Sequence, residues 1–127
     1  MQIEVPNADI VDKTSILMIK LERVRDAQKL ENIKKELESI LPSCLKIMSL
    51  DDDLFKELKS VNEKLWDIED DIRQKEAYKS FDDKFISLAR AVYLTNDRRS
   101  KIKQAISLQS GSRLQEEKSY KQYHQYF

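Results

Sequence analysis

The sequence predicts an all-α protein, an antiparallel bundle of three to four helices built around one long central hairpin. Three observations lead there. One Gly and two Pro among 127 residues leave few places for tight turns. Apolar residues recur at helical spacing along most of the chain. Alternation of apolar and polar residues is confined to MQIEVP and stops at Pro6. The length fits one domain, residues 1–127, with 110–127 as a C-terminal arm.

The first helical region starts near Asn7 or Asp9, either of which can cap its free amides. Its apolar set Ile10, Leu17, Leu21 and Val24 is about one position out of phase with Leu30, Ile33, Leu37 and Ile40. The slip falls at Arg25–Gln28, where Asp26 can cap a new helix. The region therefore reads as one kinked helix or as two, roughly 8–25 and 27–41. Pro42 is expected to end it, because its ring cannot continue the hydrogen-bond ladder. Ser43 to Leu50 then reads as a short connection whose Leu45, Ile47 and Met48 pack under the bundle.

Asp51, Asp52 and Asp53 precede a strong helix and lack the spacing of a calcium loop, so helix capping is the favoured reading. That helix, about 52–78, carries Leu58, Leu65 and Ile72 seven apart with Val61 and Ile68 between them, an a/d seam suited to a bundle. Lys79-Ser80 is the expected turn, with Ser80 and Asp83 forming a start like a capping box. The last long helix, about 81–107, holds Phe81, Phe85, Leu88, Val92, Ile102 and Ile106 on one side. Thr95, Asn96 and Arg99 interrupt that stripe, so the helix bends there, builds something polar, or gives way to a separate last helix capped by Thr95 or Asn96. Ser110-Gly111-Ser112 closes it. The tail places Tyr120, Tyr123 and Tyr126 three apart and is expected to pack by its aromatic rings.

Charge and composition exclude several classes. Twenty-three basic residues cancel 23 acidic ones, whereas a dedicated nucleic-acid binder carries a basic excess. RRSKIK is the one local basic run that speaks for it. The longest apolar run, SILMI, is far too short to span a membrane, and the N-terminus has no secretory pattern. Cys44 is alone, which rules out an internal disulfide and makes a cytoplasmic setting the default. His124 is the single His, so the parts for a His-based triad or a His-rich metal site are missing. There is no glycine-rich phosphate loop. No cofactor and no metal site is expected.

A hairpin turning near 79–80 pairs residues whose numbers sum to about 159, given equal rise on both helices. Trp66 then meets Tyr93, Glu69 meets Arg90, and Asn62 meets Asp97. Asn62, Trp66, Glu69 and Arg73 follow one edge of the apolar seam. Arg90, Tyr93 and Asp97 keep similar spacing on the second helix, with Asn96, Arg99 and Lys103 on a neighbouring line. Both lines can face one groove. Arg90, Arg99 and Lys103 can hold an anion there, Trp66 and Tyr93 can stack on a ring, and Glu69, Asp70 and Asp97 can bind hydroxyls or receive a proton. The same inventory equally makes a buried salt-bridge network that fixes helix register.

The blocks IVDKTSILMIKLERV, KLENIKKEL, VNEKLWDIEDDIR and FDDKFISLARAVYLTNDRRSKIKQAI, with the later EEKSY, resemble an uncharacterised family of small helical proteins from bacteria and marine phages, some encoded near surface-polysaccharide genes. The resemblance covers roughly residues 3–120. It matches the family pattern at Trp66, Glu69, Asp70, Arg73, Arg90, Tyr93, Asn96, Asp97, Arg99 and Lys103. Where the family carries Gly-Glu ahead of its DK dipeptide, this chain has Asn7-Ala8-Asp9 ahead of Asp12-Lys13. The family is a domain of unknown function and lends no activity. Two functions stay in view: a non-enzymatic interaction or scaffold protein, expected as a homodimer because few elements cover its long apolar stripes, and a site for a phosphorylated small molecule such as a nucleotide or sugar phosphate. The paired acidic motifs of helical nucleotide pyrophosphatases are not reproduced.

Overall fold

A computed structural model describes residues 1–112, which form four helices: α1 (Asn7–Arg23), α2 (Ala27–Ile47), α3 (Asp53–Ala77) and α4 (Asp83–Gln109). The phase slip after Val24 is a genuine break, because Asp26 caps α2 by accepting a hydrogen bond from the Lys29 amide at 2.9 Å. Asp52 likewise caps α3, accepting from the Leu54 amide at 2.9 Å, which is the role expected of the aspartate triplet. The tyrosine-bearing tail and His124 lie outside the described residues.

Three expectations are corrected. Pro42 does not end the second helix; it sits inside α2, which continues to Ile47. Proline removes one backbone donor and leaves the carbonyl four residues back, on Glu38, without its helical partner. Glu38 and Pro42 are both exposed, so that carbonyl faces water, while Cys44 and Met48 anchor the end of the element in the core. The expected connection 43–50 therefore shrinks to the few residues after Ile47, and Leu45 is exposed. At α4 the cap is Asp82, not Ser80: its carboxylate accepts from the Phe85 amide at 3.0 Å. Ser80 still belongs to the end of α3, its amide donating to the Lys75 carbonyl at 2.9 Å.

The third correction concerns α1. Neither Asn7 nor Asp9 caps it; the helix opens at Asn7 behind Pro6, which makes no side-chain cap bond. Its first amides are satisfied from α4 instead. Asn7 N–H donates to Ser112 Oγ at 3.0 Å and Ala8 N–H to Ser107 Oγ at 3.3 Å, while Asn7 Nδ2 donates to Ser110 Oγ at 3.0 Å. The serines that close α4 are thus the cap of α1, a tertiary substitute for a local one.

Helix α1 is the hub, because it packs on each of the other three. Helix α2 lies along α1, and α3 and α4 form the antiparallel hairpin. The hairpin register agrees with the one expected from the turn: Lys75 pairs with Asp82 at 2.9 Å near one end, and Gln109 donates to Asp52 at 3.3 Å near the other. Ala8, Val11, Cys44, Met48, Phe55, Leu58, Val61, Ile102 and Ile106 form the main core, at the end of the hairpin away from its turn. Burial raises the Cys44 thiol pKa, opposed in part by a hydrogen bond with Thr14. Toward the turn the two helices run on largely without α1, and the buried hydrophobic side chains there are Ile68 and Leu88.

Two predictions follow from the turn. Lys79 holds φ at 53°, with the 6→1 and 5→2 bonds of a Schellman end around it: Ser80 N–H to Lys75 O and Lys79 N–H to Glu76 O at 3.0 Å. Gly111 fills the corresponding position after α4 at φ 68°. A left-handed residue with a Cβ costs about 1–2 kcal/mol, partly offset by the larger unfolded-state entropy of Gly. Lys79→Gly should therefore raise stability by about 0.5–1 kcal/mol in urea unfolding.

The second concerns Asp82, which is exposed. The hydrogen bond from Lys75 and then that from the Phe85 amide hold its carboxyl down at about 2, against an ordinary 3.8. A lowered folded pKa favours the folded state above the unfolded value, and that contribution fades as pH falls from near 4 towards 2. Carboxyl NMR should show Asp82 titrating near 2 in the wild type and nearer its ordinary value in Lys75→Met.

Candidate functional site

Among the described residues, the most densely connected polar group sits where α1, α3 and α4 meet. Its centre is Asp12, whose side chain retains only 8% of its exposure. Asp12 lies on the α1 face that also carries Ala8, Val11, Ser15 and Ile19, all buried, so helical spacing directs it inward. Arg99 of α4 grips the carboxylate with two prongs, Nε donating to Oδ1 at 3.2 Å and Nη2 donating to Oδ2. From α3, Asn62 Nδ2 donates to Asp12 Oδ1 at 2.9 Å and to Ser15 Oγ at 2.8 Å. Ser15 in turn donates to the Asp12 carbonyl at 2.7 Å. Each buried polar group in this cluster has a partner, as burial at low dielectric demands.

One turn towards the start of α1, Asp9 faces Lys103. The ammonium stands 3.0 Å from Asp9 Oδ1, within ion-pair range but off the line of a hydrogen bond, so this buried oxygen is met by charge alone among the described residues. Pro6, Ala8, Ser100, Gln104 and Ser107 complete the walls of a cavity of about 10 Å³ beside this pair. At the far end of α1, Arg23 reaches Asp67 at 2.6 Å and Glu63 at 3.9 Å, and its guanidinium lies 5.7 Å from the centre of the Trp66 ring. Lys59 joins Glu22 at 3.0 Å. Ion pairs from α1 therefore clamp the hairpin at several levels.

The candidate residues named from the sequence divide into two sets. Arg99 and Lys103 turn towards α1, and Trp66 lies beneath Arg23. Glu69 and Arg73 pair with each other along α3 at 3.6 Å, in solvent. Arg90 and Tyr93 are exposed on α4, while Asn96 and Asp97 are half-buried. At about 100° per residue, Arg90 stands roughly half a turn of helix away from Arg99. The lines Arg90–Tyr93–Asp97 and Asn96–Arg99–Lys103 thus look in different directions.

The site expected from the sequence does not include Asp9, Asp12 or Ser15. A signal for them existed: Asp12 and Ser15 fall on the same stripe as Ala8, Val11 and Ile19, and a carboxylate on an apolar stripe requires a cation opposite. Among the described residues no three His, Cys, Asp or Glu side chains converge as a metal site would need, and no helix is long and apolar enough to cross a membrane. A second concavity, an open groove at the hairpin turn, is lined by Asp71, Gln74, Lys75, Tyr78, Ser80, Lys84 and Leu88.

The chain belongs to a family of unknown function, DUF6165, whose model matches residues 1–124. No curated protein and no solved structure matches it.

The Asp12 cluster predicts a sharp contrast between two arginines. Arg99→Ala leaves a buried carboxylate without its cation and should cost about 2–3 kcal/mol, below the fully buried case because the Arg99 side chain keeps 27% of its exposure. Arg90→Ala removes an exposed charge and should cost less than about 1 kcal/mol. Chemical denaturation of the two single variants measures the difference.

Proposed function

We propose, for a chain whose family has no assigned activity, that this is a non-enzymatic helical interaction protein, acting as a homodimer. The observation that supports it is the division of polar and apolar groups. Arg99, Lys103, Asp9, Asp12 and Asn62 neutralise and hydrogen-bond one another at the junction of α1, α3 and α4. Phe81, Ile86, Tyr93 and Leu94, by contrast, are exposed along the hairpin. A catalytic or binding constellation needs groups that are convergent and also reachable by a ligand. A docking surface needs apolar area that solvent can reach. The same proposal carries a cytoplasmic setting, in keeping with the lone cysteine, and a bacterial or phage origin, in keeping with the resemblance of its sequence blocks.

A second reading, a site for a phosphorylated small molecule, draws on the outward residues. Arg73 and Arg90 would hold the anion, Tyr93 and Trp66 would stack on a ring, and Glu69, Asn96 and Asp97 would take hydroxyls. Arg99 and Lys103 would have to share their charge with Asp12 and Asp9.

Thermal unfolding with ATP, GTP, glucose 6-phosphate and inorganic phosphate separates the two. The interaction reading expects Tm to stay constant for wild type and Arg90→Ala alike. A saturable rise in Tm that Arg90→Ala abolishes would favour the second reading and overturn the first.

A further inference from the structure

We infer that the outward side of α4 is a self-complementary surface that docks α4 of a second copy antiparallel, about a two-fold axis passing between Tyr93 and Leu94. This rests on the interaction reading and names the partner it takes.

The inward side of α4 is well defined, since Leu88, Thr95 and Ile102 are buried seven apart. Five of the nine exposed large hydrophobic residues among those described belong to α4 or its lead-in: Phe81, Ile86, Tyr93, Leu94 and Leu108. Ile86, Arg90, Tyr93 or Leu94, and Asp97 follow the steps of a second helical stripe. On a helix that already has one apolar side packed, a second one calls for a further partner.

The order of residues on this stripe fits a two-fold axis. In an isologous contact, residue i of one subunit meets j of the other, and j meets i. Arg90 and Asp97 stand equally far either side of the point between Tyr93 and Leu94. Antiparallel docking about that point sets each Arg90 opposite Asp97 of the partner subunit, giving two identical ion pairs. At about 100° per residue, Tyr93 and Leu94 flank the stripe on opposite sides. The two-fold therefore brings Tyr93 against its own copy on one flank and Leu94 against its own copy on the other. Arg90 and Asp97 each also take part in an interaction within their own chain. A guanidinium has five donors and a carboxylate about four acceptor sites, so both can serve two partners.

Size requires contact along the whole helix. Tyr93 and Leu94 alone fall well short of the roughly 800 Å² per partner of a standard interface. Twenty-seven residues of α4, about 40 Å, supply the length for it.

The test uses the full chain. Light scattering at micromolar concentration should give twice the 15.0 kDa chain mass. Arg90→Glu should weaken the dimer at least about tenfold by placing like charges opposite each other, and Arg90→Glu with Asp97→Arg should restore it. Tyr93→Cys should form a disulfide-linked dimer under mild oxidation, whereas Lys64→Cys, exposed on α3, should not. A monomeric wild type, a dimer indifferent to Arg90→Glu, or failure of the double reversal to rescue would each overturn this docking mode. None of these results touches the ligand reading, which Tm with phosphorylated compounds decides separately.

Discussion

A carboxylate buried at a three-helix junction constrains this fold more tightly than any hydrophobic contact in it. Burying an ion costs several kcal/mol, roughly, and only good geometry recovers that cost. Asp12 meets the requirement with Arg99 from one helix of the hairpin and Asn62 from the other. Arg99 reaches both carboxylate oxygens, and Asn62 adds a second donor to Oδ1 while also joining Ser15, so both hairpin helices are tied to α1 at one point. Apolar packing is tolerant of small rotations and slides; a two-pronged guanidinium on a carboxylate is not. The cluster therefore sets how far α1 is rotated and where along the hairpin it sits. The net stability it adds is small for its size, and its main contribution is to the choice of one arrangement among several apolar ones.

The rest of the architecture is built outward from α1. Its first turn has no local cap and takes its hydrogen bonds from the serines at the end of α4, so the end of the chain's last long helix completes the start of its first. Its last turn holds α3 through Arg23 and Glu22. Among the described residues, helix α2 has no such ion pair with the hairpin. Cys44 is its one buried residue, near its C-terminal end, and α1 is its main neighbour. Stability should accordingly be uneven. The junction of α1 with the hairpin base resists opening, while the N-terminal turns of α2 and the turn end of the hairpin rest on fewer buried contacts.

Much of this was legible in the sequence. The seam Leu58–Leu65–Ile72, the lack of glycine and the phase slip at Arg25–Gln28 indicated the helices, and the hairpin register followed from equal rise on two antiparallel helices. What could not be read were choices decided by tertiary contact. Pro42 has a strong local meaning, yet an exposed carbonyl on Glu38 and the burial of Cys44 and Met48 carry the helix past it. The cap of α1 lies about a hundred residues away, beyond any local signal. Arg99 stands out in the sequence because it interrupts an apolar stripe, and Lys103 follows it one turn later. Their counter-ions are on α1, outside the hairpin.

That misplacement of the counter-ions bears on function. With only two helices considered, Arg99 on the stripe and Lys103 beside it fit a ligand site as well as a salt-bridge network. Adding the third helix supplies Asp12 and Asp9, and the same cations become structural. The outward stripe of α4 differs in kind. Its Tyr93 and Leu94 are exposed, and burying exposed apolar area remains favourable whichever helix provides the cover. Charges held against each other within a chain say little about what it binds. Apolar area spaced along the far side of an already packed helix says more, because internal packing gives no reason for it to be there.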